Sequence, residues 1–179
     1  MNIADAQRDM RFAYLGGAPG LLASSAVWFI AGLVALANSP RNAILALFIG
    51  GMFIHPVAVM LSKALGRPGT HTRGNPLGRL ALEGTFLLLL GLPLAYAVAL
   101  SRVEWFFPAM LLVIGGRYLT FSTLYGLRLY WACGALLVAA GFALAWAKAP
   151  LVFGAFTGAA IELAFAAVVF AIARREPAA

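Results

Sequence analysis

Apolar residues run along this chain in six long blocks, at roughly 16–37, 42–64, 80–100, 105–126, 127–147 and 150–173. A helix needs about 20 apolar residues to cross the hydrocarbon of a bilayer. Each block meets that length, and the polar positions collect between the blocks. The pattern predicts an all-α polytopic membrane protein, a bundle of six transmembrane helices. It places residues 1–14 in an N-terminal cytoplasmic or interfacial segment, 15–173 in one transmembrane domain and 174–179 in a cytoplasmic tail.

The turns sharpen this picture. Asn38-Ser39-Pro40-Arg41-Asn42 is short, so the first two spans form an antiparallel hairpin. Ser101-Arg102-Val103-Glu104 and Lys148-Ala149-Pro150 are equally brief, and spans four and five join almost continuously at Gly126. The one long connection is 65–79, rich in Gly and Pro, with Arg67, Arg73, Arg79 and His71. It reads as a basic loop or as an anion contact through backbone amides and guanidiniums. Leu15-Gly16-Gly17-Ala18-Pro19-Gly20 predicts a flexible or kinked start to the first span. Before it, Ile3, Gln7, Met10 and Tyr14 fall on one helical face, which predicts a short interfacial helix or a frayed tail.

Leu47-Phe48-Ile49-Gly50-Gly51 resembles Leu112-Val113-Ile114-Gly115-Gly116, and Leu151-Val152-Phe153-Gly154 is a fainter echo. The chain is thus a candidate for three repeated helical hairpins, a construction common among transporters. Aromatics near the block ends read as interface anchors: Trp105, Phe106, Phe107 and Trp146 at one side, Tyr125, Tyr130 and Trp131 at the other.

Composition supports the class. The chain is 63% hydrophobic and 11% charged, with mean hydropathy +0.93, whereas soluble domains carry about 25% charged residues. A soluble bundle is excluded because 179 residues cannot cover six apolar helices with polar surface. The net charge of +7 is an orientation signal. Arg8, Arg11, Lys63, Arg67, Arg73, Arg79, Arg128, Arg174 and Arg175 fall on one side, and Arg41, Arg102 and Lys148 on the other. The positive-inside rule then puts both termini in the cytoplasm. The basic residues are too scattered for a nucleic-acid interface, and membrane lipids are the expected contact. Arg outnumbers Lys eleven to two, and Ala and Gly abound, which suggests a GC-rich bacterial genome and a bacterial inner membrane. Ala35-Leu36-Ala37 looks like a cleavage site, but the apolar block is long and follows a polar segment with two acids, so it is expected to stay as a span.

Four ionisable residues fall inside the spans: His55, Glu83, Arg117 and Glu162. Such residues are costly in lipid and tend to face the bundle or each other. At 1.5 Å per residue, Glu83 lies about 6 Å from the cytoplasmic helix ends, His55 about 12 Å, Arg117 about 15 Å and Glu162 about 17 Å. Gly154, Ala155, Gly158, Ala159 and Ala166 share the face of Glu162 and would let another helix approach closely. Ser24 and Ser25 add hydroxyls in the first span, Thr120 lies near Arg117, and Pro56 after His55 frees a backbone carbonyl. Arg117, His55, Glu83, Glu162, Ser25 and Thr120 are therefore the candidate ligand-binding residues. Arg117 is expected to pair with Glu83 or Glu162. No catalytic set, metal cluster or cofactor motif accompanies them, and the single cysteine, Cys133, reads as a small apolar helix residue.

Several segments carry a resemblance: Tyr14–Gly20, Ile49–Pro56, Gly74–Thr85, Trp105–Pro108 and Gly115–Tyr118. Over about 8–131 the chain resembles a family of small bacterial integral membrane proteins of unknown function. That resemblance implies no activity and lends no catalytic residue. It takes in His55, Glu83 and Arg117 and leaves out Glu162. The residues themselves point to binding or transport of a small polar or anionic ligand. A membrane enzyme acting on a lipid-like substrate and a structural or accessory subunit stand as alternatives, and the oligomeric state is open.

Overall fold

The computed structural model describes residues 1–175. The tail expected at 174–179 is thus described only to Arg175; 176–179 lie outside the described residues. Among the described residues, seven α-helices follow one another: α1 (Ile3–Tyr14), α2 (Ala18–Ala37), α3 (Pro40–Ala64), α4 (Leu77–Ser101), α5 (Phe106–Tyr125), α6 (Leu129–Trp146) and α7 (Leu151–Ala173). Among the described residues, six helical stretches are long and apolar enough to cross a membrane, and the first of them joins α1 to α2 across a kink.

The kink has a plain cause. Leu15 takes a left-handed conformation (φ 51°, ψ 45°), and Gly16 and Gly17 follow with φ 63° and 92°. Glycine adopts positive φ without steric cost, so the paired glycines turn the chain sharply. Pro19 sits in the first turn of α2, where its missing N–H costs nothing. The span proper is therefore α2.

α1 is a formed helix, not a frayed tail. It buries Ala6, Met10 and Ala13, while Ile3 is 57% exposed. It docks across the end of the bundle. Gln7 Nε2 donates to the Thr123 carbonyl at 2.8 Å, and an Arg11 guanidinium N–H donates to the Tyr125 carbonyl at 2.7 Å. These carbonyls belong to the last turn of α5, where no helical amide remains to reach them. α1 thus caps a helix more than a hundred residues away.

The basic loop is held to α1 as well. The Asp9 carboxylate accepts from Thr72 N (3.0 Å), Thr72 Oγ1 (2.8 Å) and Asn75 Nδ2 (2.7 Å). Gly69 N donates to the Ala13 carbonyl at 3.1 Å, Tyr14 Oη and His71 Nδ1 are 3.0 Å apart, and Arg67 lies 4.7 Å over the Phe12 ring. Burial works against ionisation of Asp9, but the bonds from Asn75 and Thr72, with His71 nearby, outweigh it and hold the carboxyl below its ordinary value. A carboxyl of this kind contributes stability above its unfolded pKa and loses it as pH falls through the lower folded value. Asp9→Ala should cost about 1–3 kcal/mol at neutral pH. The gap in melting temperature between wild type and variant should hold constant above about pH 5 and close below about pH 4. A gap that persists unchanged into acid would show that Asp9 does not organise the loop.

In the bundle, α2 packs against α3 and α7, and α5 packs against α6 and α4. α6 and α7 also touch, while α3 and α4 hardly meet. Two of the expected hairpins, α2–α3 and α4–α5, pack as such; α6 and α7 each pack more extensively on another helix than on one another. The two Gly-Gly segments make different contacts. Gly50 admits Val27 of the preceding helix, whereas Gly115 meets Gly134 of the following one. At the α5–α6 crossing a Cβ on Gly115 would come within 2.8 Å of the Gly134 carbonyl, and one on Gly134 within 2.6 Å of the Gly115 carbonyl. The small face of α7 works similarly: Gly154 receives Phe107, and Gly158 receives the Trp28 indole.

Four of the aromatics read as anchors are core residues. Phe106 and Phe107 are fully buried, and Tyr125 and Tyr130 are nearly so. Trp131 (58% exposed) and Trp146 (91% exposed) do lie on the surface. An aromatic near a helix end is apolar enough for lipid or core, and its helix's neighbours decide which.

Candidate functional site

Glu162 is the most deeply placed of the predicted residues, with no exposed surface. The small side chains of α7 let α2 and α5 close over it. Tyr118 Oη donates to Glu162 Oε1 at 2.9 Å. Ser24 and Trp28 of α2 flank the carboxyl. Among the described residues, Glu162 Oε2 and Trp28 Nε1 are both buried without a hydrogen-bond partner. Ser25, one residue on, donates instead to the Ala159 carbonyl at 2.8 Å. Its hydroxyl ties α2 to the turn of α7 before Glu162.

Behind Tyr118 stands an aromatic column that sequence reasoning missed. Tyr130 stacks on Tyr118 (6.0 Å between centroids) and on Tyr125 (5.6 Å), with Phe121 edge-on to all three. Tyr130 Oη donates to the Gly16 carbonyl at 2.6 Å. A Cβ on Gly17 would strike this same hydroxyl and the Tyr125 ring. The column thus connects the buried carboxyl to the kink between α1 and α2. The spacing Tyr118, Phe121, Tyr125 puts three rings on one face of α5 and was the available signal.

Arg117 lies next to Tyr118 but points to another seam. Its Nη2 donates to Thr85 Oγ1 of α4 at 3.3 Å, and its guanidinium carbon lies 5.4 Å from the Phe121 centroid. Thr85 can accept because its own hydroxyl proton goes to the Ala81 carbonyl at 2.9 Å. The Arg117 Nε is buried without a partner. Arg8–Asp5 and Arg102–Glu104 form ion pairs on the surface, each at 3.6 Å, and neither Glu83 nor Glu162 lies in such a pair with Arg117. The expected ion pair between Arg117 and Glu83 or Glu162 is therefore not formed. Thr120 Oγ1 donates back to the Arg117 carbonyl at 2.7 Å, an ordinary helical bond.

The other two residues stand apart. Glu83 is exposed on the ridge of α4 that carries Leu87, Leu90 and Leu94, all more than 60% exposed. Adjacency of α4 and α5 in sequence suggested contact with Arg117, but the α5-facing side of α4 is formed by Gly84 and Gly91. His55 is also exposed, although Ile44 and Ser62 on the same stripe of α3 are buried. The stripe is covered at both ends and open between them because α4 does not close on α3.

That separation leaves a groove of about 460 Å³ between α3 and α4 at the end remote from α1. Ile44 and Phe48 line one wall, Tyr96, Ala99 and Leu100 the other, and Arg41 stands at its margin.

The chain belongs to a family of unknown function, DUF7010, whose model covers residues 3–172 and so takes in Glu162 with the other site residues. No curated protein and no solved structure matches it.

Proposed function

We propose that this multi-pass membrane protein binds a small anionic ligand within the bilayer and carries it across, with Arg117 as the counter-charge. The observation behind this reading is a guanidinium inside a span with one long hydrogen bond, a buried unpartnered Nε and no carboxylate against it. A cation so placed is costly in lipid unless something neutralises it. Arg presents a planar fork that suits carboxylate or phosphate oxygens. In this reading Thr85 and Thr120, the hydroxyls bonded to Arg117, complete the polar set. The Arg, Ala and Gly content supports a bacterial inner membrane, and the charge distribution supports an α1 end in the cytoplasm.

The test is a thermal-shift series on purified protein with inorganic phosphate, sulfate and short carboxylates. Wild type should be stabilised by one of these anions in a saturable way. Arg117→Gln should weaken that response by roughly tenfold or more, and Arg117→Lys should restore part of it. An equal response in Arg117→Gln would remove the basis of the proposal.

A further inference from the structure

The groove between α3 and α4 is separate from Arg117, and its chemistry points to a different occupant. We infer that it binds one anionic glycerophospholipid, with the headgroup phosphate on Arg41 and an acyl chain along Ile44, Phe48 and the Tyr96 ring. The walls are apolar except for Arg41 at the helix end and the ring of Tyr96, five residues before the end of α4. Arg41 is the second residue of α3, and Phe48 lies seven residues on, so the groove descends roughly 10 Å from the helix end. This matches the passage from headgroup level into hydrocarbon. Trp105 and the highly exposed Trp146 lie at the same end, where aromatic rings mark the membrane interface.

Charge selects an anionic lipid over a neutral one. Arg41 makes no ion pair among the described residues, whereas nearby Arg102 already faces Glu104 and the Trp105 ring. Charge also argues against a second copy of this chain. In a two-fold interface whose axis passes through the groove, the two Arg41 side chains would come close together. No carboxylate lines the groove to relieve that repulsion. A phospholipid supplies both the missing anion and a chain for the apolar walls.

The experiment is native mass spectrometry of the full chain released from nanodiscs of equimolar phosphatidylglycerol and phosphatidylcholine. Wild type should retain one lipid, with phosphatidylglycerol enriched roughly fivefold, the preference expected of one basic residue at an anionic surface. Arg41→Gln should bring the two lipids to parity, and Arg102→Gln should leave the preference intact. Leu45→Trp, which places an indole in the groove, should lower retention of both lipids. Both Arg41 and Leu45 are exposed, so these variants are expected to fold, with circular dichroism as the check. Unchanged enrichment in Arg41→Gln would overturn the inference. So would displacement of the lipid by millimolar inorganic phosphate, which would mean a simple ion site, or a dimer cross-linked through cysteines at Leu45. Arg117→Gln should not affect lipid retention, so this result stands or falls independently of the ligand at Arg117.

Discussion

Gly115→Ala should destabilise the protein by about 1–3 kcal/mol, while its neighbour Gly116→Ala should be neutral or stabilising by up to about 1 kcal/mol. The two residues are identical and adjacent on α5, and only their surroundings differ. A Cβ on Gly115 would lie 2.8 Å from the Gly134 carbonyl, 2.8 Å from Val138 Cγ2 and 3.2 Å from Leu137 Cβ. The carbonyl is backbone and can yield only if α6 moves as a whole. Nothing lies within 4 Å of a Cβ on Gly116, so alanine there gains helix propensity without a clash. Gly115→Leu should give no folded protein. Melting temperatures in one detergent would check the pair, and equal values for the two alanine variants would show that α5 and α6 do not cross at this point. Gly134→Ala should cost as much as Gly115→Ala, and the double variant less than their sum, since one separation of the helices relieves both contacts.

Glu162→Ala should cost about 2–5 kcal/mol. It opens a cavity in a fully buried seam and strands the Tyr118 hydroxyl, which has the carboxyl as its acceptor. Glu162→Gln should cost less than half as much, because an amide oxygen can still accept from Tyr118 and the volume is kept. Tyr118→Phe should cost about 1–2 kcal/mol in wild type and almost nothing beside Glu162→Ala. A double-mutant cycle measures this directly. Additive effects would mean that the 2.9 Å bond contributes nothing to stability. A Glu162→Gln variant that is stable yet fails the anion thermal-shift test would connect this carboxyl to the ligand at Arg117.

These two sites show how unevenly the sequence can be read. The small face of α7 was legible, because Gly154, Ala155, Gly158 and Ala159 recur at helical spacing, and Phe107 and Trp28 do pack there. The α5–α6 crossing was not, because Gly115-Gly116 could be read equally as a repeat signature. The burial of Glu162 followed from its neighbours, but its partner did not. Charge alone favoured Arg117, whereas Tyr118, one residue on and turned to the α7 side, makes the bond. Arg117 faces α4 and Thr85 instead. The docking of α1 was hidden for another reason: its partners are the carbonyls of Thr123 and Tyr125, backbone groups that no side-chain pattern announces.

The residues alone determined the six spans, the turn at Gly16-Gly17, the small face of α7 and the presence of costly polar groups in the bilayer. Each depends on a property carried locally, such as transfer free energy, backbone freedom or side-chain size. Tertiary structure decided which helices touch, that Phe106, Phe107, Tyr125 and Tyr130 are core, that His55 is exposed and that Arg117 has no carboxylate. A water-soluble helix declares its inner face by being apolar on that side only. These helices are apolar all round, so lipid and core look alike to them. Which side faces inward is settled by shape at close crossings and by a few hydrogen bonds between residues distant in sequence.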